Sequence, residues 1–228
     1  MTPPPPHSPP HSIDELSLAS LAIFPLPDVV LFPGTVLPLH VFEPRYRDMA
    51  RDVLAGDRVL AVARLRPGYE GDYQGRPPVF ETAGVGVIVA DDELDGGRYN
   101  ILLRGVGRVA IEQELPPEKS YRRVRARLLS DAISGRPQLA SATHSQLVAM
   151  CERLADAIGD PGEQLRDLVH AAASPAACAD LLAASIVGDP DDRQTLLETL
   201  DPADRLDAVL ERVSALVARL GSTDGMLN

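Results

Sequence analysis

The sequence is poor in the residue types on which several common protein functions depend. Its 228 residues include no tryptophan, aromatic residues make up only 4%, and Lys119 is the only lysine. The formal net charge is −11, so the chain repels phosphate backbones and anionic membrane surfaces. Nucleic acid and membrane are therefore not expected partners.

Cysteines and long apolar runs are also scarce. Cys151 and Cys178 are the only two thiols, too few for a disulfide framework, and they fit a reducing compartment. No apolar run approaches the roughly 20 residues that span a bilayer. Residues 1–20 begin with prolines, lack the pattern of a secretory signal, and are predicted to form a disordered tail. These features predict a soluble cytoplasmic protein.

Residues 21–131 have the composition of a β-rich domain. Residues 58–65 and 79–90 are rich in strand-forming side chains, and Asp95-Gly96-Gly97 has the composition of a hairpin turn. One helix is predicted over residues 43–54, where apolar side chains recur on a single face. Several short strands of this kind are typical of a small barrel or sandwich.

Two finer features of this half concern how its strands bend and face. Gly84 and Gly86, inside a predicted strand, indicate a bulge or a tight bend. In the last strand, alternation places Val124, Ala126 and Leu128 on the core side.

Residues 132–221 change to a helical period, and residues 222–228 are predicted to form a second tail. Four capping side chains each stand before a proline at a predicted first helical position. They are Asp160, Ser174, Asp189 and Asp201. Gly159, Gly188 and Gly221 stand where the helices are expected to end. The chain is therefore predicted to be α+β, with four or five helices bundled after the β-rich half.

A search for catalytic or metal-binding residues finds little. The sequence has no G-x-x-x-x-G-K-[ST], H-E-x-x-H or G-x-S-x-G pattern, and Lys119 lies in an expected exposed connection, where a lysine is a poor general base. The pairs His144/Cys151 and His170/Cys178 are spaced too widely for an ordinary zinc site, and such thiols are commonly core residues. We expect no enzyme activity, metal or cofactor; a hydrolase with an unrecognised arrangement is the remaining catalytic alternative.

The most specific pattern is the proline-rich stretch FPLPDVVLFPGTVLPLHVFEPRYRDM, which begins at Phe24. Proline cannot donate a ladder hydrogen bond, so these residues predict strand edges, strand starts and corners. The stretch resembles the start of the Lon protease N-terminal domain, the substrate-binding domain of that family. The matching positions are Pro25, Leu26, Phe32, Pro33, Gly34, Pro38, Leu39, Phe42, Glu43, Pro44, Arg45 and Tyr46, followed by Gly105 and Arg108 in a later strand pair.

This resemblance implies a PUA-like β pseudobarrel followed by a helical bundle. Lon proteases also carry ATPase and peptidase modules, and the sequence up to Asn228 contains neither, so we expect a stand-alone, ATP-independent binding module. Its partners would be polypeptide substrates with exposed apolar segments, or a protease, in protein quality control. The first strands and the loop 67–78 would form the contact surface. Motif residues such as Glu43 and Arg45 would mainly fix corners and a local ion pair.

An RNA-binding function is the alternative, because PUA-like folds include RNA binders. Arg123, Arg125 and Arg127 alternate along one strand and form the only basic stripe in the sequence. The stripe has two interpretations, anion binding or cross-strand pairing with Glu112 and Glu114, and the second is favoured because no aromatic side chains lie between the arginines.

Overall fold

The structure is a computed structural model and describes residues 13–73, 75–132 and 135–224. Most of the Pro-rich tail predicted from residue 1, and the end of the predicted C-terminal tail, lie outside these ranges. Within them, no helix combines the length and apolar character that a bilayer crossing requires.

The contacts between residues divide the chain into two compact units. The first extends to residue 31 and continues over residues 35–128, and the second contains the chain from residue 129 onward. Phe32–Gly34 belongs to the second unit although it lies within the sequence of the first. A β-rich unit with a helical unit makes the predicted α+β class correct.

The first unit is built on one mixed sheet with three short helical segments. The strands are β1 (Leu21–Leu26), β2 (Val36–Val41), β3 (Val59–Arg64), β4 (Thr82–Leu94), β5 (Arg98–Glu114) and β6 (Arg123–Leu129). The helical segments are α1 (Glu15–Ala19), α2 (Pro44–Ala55) and a 3-10 turn (Tyr69–Asp72).

The sheet closes on itself because its longest strand pairs at both sides. The strand order is β2-β5-β4-β3-β1-β6, and β5 also pairs with β6, so five strands form a ring and β2 is added to β5 outside it. Only β1 and β3 are parallel among the registered pairs. This ring is the pseudobarrel that the resemblance implied.

Side-chain alternation along the central strands builds two apolar clusters on opposite faces. On β1, Phe24 belongs to the cluster beneath α2, whereas Ile23 belongs to the other cluster. All six residues of β3 are buried because this strand is covered on both faces. Five of its six side chains are aliphatic, and the sixth is the buried Arg64.

The predicted hairpin and its bend are both present. Strands β4 and β5 meet at Asp95-Gly96-Gly97, where both glycines have positive φ. The β4–β5 register shifts between Val85 and Gly86, as the glycines in this strand predicted. Gly84 permits a close approach, since a Cβ atom there would lie 1.9 Å from the Leu31 carbonyl oxygen.

The predicted helix at residues 43–54 is also correct and begins as expected. Pro44 is its first residue. The backbone N–H at this position has no partner within a helix, so a proline there costs no hydrogen bond. Tyr46, Met49 and Val53 are buried on the face that covers the sheet. The ring of Tyr46 packs at 4.4 Å from that of Phe24, which fixes α2 on β1.

The second unit consists of five helices within the described residues. They are α3 (Pro137–Ile158), α4 (Pro161–His170), α5 (Pro175–Ile186), α6 (Pro190–Glu198) and α7 (Pro202–Asp224). The side chains of Ser174, Asp189 and Asp201 accept backbone N–H bonds at the starts of α5, α6 and α7. Gly159 ends α3 with positive φ.

Four sequence predictions differ from the structure. Asp160 makes no side-chain cap, because its backbone is already helical. Helix α7 continues through Gly221, since one glycine costs only about 1 kcal/mol in a helix. Leu128 is exposed rather than buried, because it lies at the end of β6. Helix α1 lies inside the predicted tail, where Asp14 caps it and Leu18 is buried.

Candidate functional site

An apolar strip covers the outer face of β2 and β5. Pro38 lies directly opposite Leu102, and the burial of β2 alternates so that Val36 and Pro38 face solvent. The exposed fractions are large for apolar side chains: 50% at Val36, 40% at Leu102 and 45% at Val106. We call these four residues the outer strip.

The outer strip continues in two directions. Toward β4, Leu102 also lies opposite Ala90, and a shallow groove of about 440 Å³ runs across β2, β5 and β4. Along β2, the ring of His40 stacks on that of Phe42 with 5.9 Å between centroids, and Phe42 is 59% exposed. The Nδ1 atom of His40 lies 2.7 Å from Asn100 Oδ1. The result is an extended, mainly apolar surface that also carries Arg104, opposite Val36, and Asp91 and Asp92 along the groove.

Strand β2 also has a free edge, since it pairs only with β5 among the described strands. Gly105 donates its backbone N–H to the Thr35 carbonyl at 2.8 Å. Because such pairs alternate in antiparallel strands, Leu37 and Leu39 bond to β5 while Pro38 points its backbone outward. Proline therefore occupies a position where a strand's N–H would otherwise be unpaired.

A second concave feature of the same unit lies beside α2. We call it the arginine–tyrosine cleft; its volume is about 320 Å³. Arg45 stacks its guanidinium on the rings of Tyr46 and Tyr73, at 4.6 and 5.4 Å from their centroids. The remaining walls are mainly proline, tyrosine and basic side chains, including Pro25, Pro77, Pro117, Arg76, Lys119, Tyr121 and Arg122.

Arginines hold the loop 67–78 against the cleft. Arg45 donates to the Tyr73 carbonyl at 3.2 Å, and Arg122 donates to the Pro77 carbonyl at 2.8 Å. Arg122 also makes two 2.8 Å bonds to Glu114. The expected local ion pair between Glu43 and Arg45 is present at 3.2 Å.

Burial and nearby carboxylates keep the tyrosines of the cleft protonated. Burial raises the pKa of Tyr46 to about 12. Burial, followed by the hydrogen bond to Asp52, raises the pKa of Tyr121 to about 12. Burial and then Glu43 raise the pKa of Tyr73. The three phenols are therefore neutral hydrogen-bonding groups near pH 7.

The motif residues found from the sequence divide into buried and exposed groups. Pro25, Phe32, Tyr46, Gly105 and Arg108 are buried, as expected of residues that shape the fold. The exposed or partly exposed ones are Leu26, Pro33, Gly34, Pro38, Leu39, Phe42, Glu43, Pro44 and Arg45. Pro38 and Phe42 join the apolar surface of β2, whereas Arg45 lines the cleft.

The arginine stripe of β6 is engaged with acidic neighbours at two of its three positions. Arg123 donates to Glu118 at 2.8 Å and to Ser20 at 3.0 Å. Arg127 lies 3.4 Å from Glu112. Glu114 pairs with Arg122 and Arg76 rather than with the stripe, so only part of the expected cross-strand pairing is seen.

The residues weighed for catalysis or metal binding occupy ordinary structural positions. Lys119 donates to Asp52 at 2.9 Å. His170 contacts Glu152 at 2.8 Å, and both cysteines are buried as free thiols. The described residues contain no cluster of three or more His, Cys, Asp or Glu side chains that could hold a metal ion.

Sequence reasoning placed the contact surface on the first strands and the loop 67–78, but it did not show that β5 completes the outer strip or that α2 borders the cleft. Both depend on pairings between distant segments, such as β2 with β5 or α2 with the loop 67–78. One signal was available in the sequence of β2. Val36 and Pro38 alternate with Leu37 and Leu39, which indicates a strand with apolar side chains on both faces. Pro38 within it indicates an edge strand.

By fold, the protein belongs to the α+β class, with a closed mixed sheet in one unit and a bundle of helices in the other. It resembles the N-terminal domain of Mycobacterium avium complex Lon protease, with TM-score 0.64 and 22% identity over 86% of this chain and 98% of that one. The Lon N-terminal domain protein from Xanthomonas campestris gives TM-score 0.56 and 23% identity, over 84% of this chain and 97% of that one.

The sequence comparisons identify the family. Residues 20–215 match the family model of the ATP-dependent protease La (LON) substrate-binding domain, and the chain belongs to this family. It is 32% identical to Lon protease from Roseiflexus castenholzii over 83% of the chain, and 28% identical to Lon protease 2 from Myxococcus xanthus over 84%. In both cases the match covers 23% of the relative, so the chain spans about a quarter of their length.

Proposed function

We propose that this chain binds unfolded or exposed apolar polypeptide segments and does not itself catalyse a reaction. The outer strip carries this proposal, because Val36, Leu102 and Val106 stay 40–50% exposed on a chain of net charge −11. Contiguous exposed apolar surface on a soluble protein commonly marks an interaction site. Membership of a substrate-binding domain family supports the same function.

The free edge of β2 bears on how a polypeptide would bind. Pro38 removes one outward donor from the middle of the edge, so an added strand could not form a continuous ladder there. We therefore propose that bound segments lie across the face of the strip, where they contact apolar side chains. Such binding tolerates many sequences because it does not require a fixed hydrogen-bond register.

The proposed role is in protein quality control: the chain holds a client that a protease then cleaves. The 228 residues have no G-x-x-x-x-G-K-[ST] sequence, and Lys119 is paired with Asp52, which supports an ATP-independent and non-catalytic role. The buried free thiols Cys151 and Cys178 support a cytoplasmic location.

The test measures binding of fluorescently labelled, unfolded β-casein to the wild type and to Leu102→Asp. A carboxylate in the strip should weaken binding about tenfold or more, because it places a charge in an apolar contact. Leu139→Asp is the matched control, because Leu139 is 47% exposed but lies on α3. Added ATP should change the casein affinity of neither the wild type nor Leu102→Asp.

Equal binding by Leu102→Asp and the wild type would exclude the outer strip as the contact surface. Cleavage of the casein by the purified wild type would contradict the non-catalytic part of the proposal. The RNA-binding alternative is not carried forward, because Arg123 and Arg127 are already paired with Glu118 and Glu112.

A further inference from the structure

We propose that the arginine–tyrosine cleft is a second binding site, which takes a carboxylate attached to a small apolar body. Free organic acids and the C-terminal residue of a polypeptide share this chemistry. The cleft is separate from the outer strip, since the two share no residue. The inference therefore does not depend on the proposed function of the strip.

The charges around the cleft favour an anion. Four cationic side chains line it, namely Arg45, Arg76, Lys119 and Arg122. Three carboxylates are paired with them: Glu43 with Arg45, Asp52 with Lys119, and Glu114 with both Arg76 and Arg122. Among the described residues that line the cleft there is no Asp or Glu, so the charged groups of its walls are all cationic, although the carboxylate of Asp72 lies beside Gly75.

Donors for that carboxylate come from Arg76 and Lys119, the more exposed cations of the cleft. Arg76 uses its Nη1 for Glu114 at 3.1 Å, and Lys119 uses one proton of its ammonium for Asp52 at 2.9 Å. Arginine has five N–H donors and lysine has three, so each retains donors beyond these contacts. Arg122, by contrast, already makes three 2.8 Å hydrogen bonds.

The remaining walls of the cleft suit an apolar group of limited size. Pro25, Pro77 and Pro117 contribute rigid apolar surface, and Tyr46 contributes a ring that Arg45 covers on one side. A volume of about 320 Å³ lies at the small end of the range typical for ligand sites. A carboxylate with one apolar side chain therefore fits the cleft better than a long chain or a polyanion.

The test uses N-acetyl-leucine and N-acetyl-leucine amide, which differ only in the carboxylate. Their binding is followed by NMR of the protein with labelled tyrosine rings. The five tyrosines report the location, since Tyr46, Tyr73 and Tyr121 line the cleft while Tyr99 does not. The acid should shift the three cleft resonances at millimolar concentration, and the amide should not.

Arg76→Gln and Arg125→Gln form a matched pair of variants. Each removes one arginine charge, but only Arg76 lines the cleft, while Arg125 is exposed on β6. We expect Arg76→Gln to weaken binding of the acid at least tenfold and Arg125→Gln to leave it unchanged. An unchanged Tyr99 resonance shows that each variant is folded.

The natural source of the carboxylate is distinguished with the heptapeptide Gly-Ser-Gly-Ser-Gly-Ser-Leu. Its C-terminal leucine is its only apolar side chain, so it offers the outer strip no apolar group that N-acetyl-leucine lacks. Tighter binding of this peptide than of N-acetyl-leucine indicates a polypeptide C-terminus, and weaker binding indicates a free organic acid. Equal shifts with acid and amide, or no shifts in the three cleft tyrosines, would overturn the proposal. Neither result would bear on casein binding by the strip.

Discussion

Arg205 of α7 and Asp131 form a two-point ion pair in the helical unit. The two terminal nitrogens of the guanidinium donate to the two carboxylate oxygens at 2.8 and 3.0 Å. Arg205 Nε also lies 3.2 Å from Asp180 of α5, and the exposed fractions of the Arg205 and Asp180 side chains are only 1% and 5%. One buried cation thus joins three segments of this unit.

We therefore expect Arg205→Ala to lower the free energy of unfolding by about 3–5 kcal/mol, because it leaves Asp180 buried without its cation. Arg136→Ala is the control within the same unit, since its pairs with Asp204 and Asp207 are much more exposed. Loss of an exposed pair should cost at most about 1 kcal/mol. Urea unfolding at neutral pH measures the free energy of unfolding of both variants. Equal losses would contradict a stabilising role for the buried ion pairs of Arg205.

Gly84→Ala should destabilise the sheet unit. The new Cβ atom would lie 1.9 Å from the Leu31 carbonyl oxygen, a backbone atom that cannot move by a side-chain rotation. We expect a loss of about 3 kcal/mol or more, at the upper end of the usual cost of overpacking. Gly107→Ala is the control, because its Cβ would meet nothing closer than 3.7 Å. Thermal unfolding of the two variants tests the difference.

Pro38→Val should increase self-association. Valine restores a backbone N–H on the free edge of β2 and has high strand propensity, which favours pairing with the edge of a second molecule. Sedimentation velocity over a range of concentrations should show a larger mass than for the wild type. Pro44→Ala also restores an N–H, but at the start of α2, and should leave the mass unchanged. No difference between the two variants would show that Pro38 does not protect the edge.

Cys151 and Cys178 should resist alkylation in the folded protein. Burial raises the pKa of Cys178 to about 11, and burial together with Cys178 raises the pKa of Cys151 to about 12. The reactive thiolate is therefore a very small fraction at pH 8. Mass spectrometry after iodoacetamide should find both cysteines unmodified in buffer and both modified in urea. Rapid labelling in buffer would contradict their burial.

The ion pair of Lys119 with Asp52 should make a pH-dependent contribution to stability. Lys119 first, and then Tyr121, hold the pKa of Asp52 below its ordinary 3.8. A lowered folded-state pKa stabilises the protein above the unfolded-state value, and the effect is lost as the pH falls through the folded-state pKa. Lys119→Met should therefore cost less than about 1 kcal/mol at neutral pH, because the pair is partly exposed. The difference in free energy of unfolding between Lys119→Met and the wild type, measured in urea, should disappear in acid. A difference that stays constant with pH would show that Lys119 stabilises the protein by packing rather than by its charge.

Local sequence signals predicted the elements that depend on neighbouring residues. Pro44 at the start of α2 and the glycines of the β4–β5 turn act within a few positions, so both elements follow from the sequence. Asp14 capping α1 is equally local, but a five-residue helix is too short for a periodic pattern to reveal it.

The candidate sites depend on contacts between distant segments, which the sequence alone does not determine. The cleft exists because Arg45 and Arg122, on distant segments, both bind carbonyls of the loop 67–78. The outer strip exists because the register sets Pro38 opposite Leu102. A shift of one residue would turn the strip inward, and the sequence of β2 alone, apolar on both faces, does not fix that choice.

The assignment of Phe32–Gly34 to the helical unit makes the two units interleaved along the polypeptide. No single break in the backbone can therefore yield both units complete. A fragment beginning at residue 129 would lack Phe32, which has no exposed surface in the intact chain. During synthesis Phe32–Gly34 leaves the ribosome well before the five helices with which it is grouped, so the helical unit is complete only when it includes a segment made about a hundred residues earlier than its first helix.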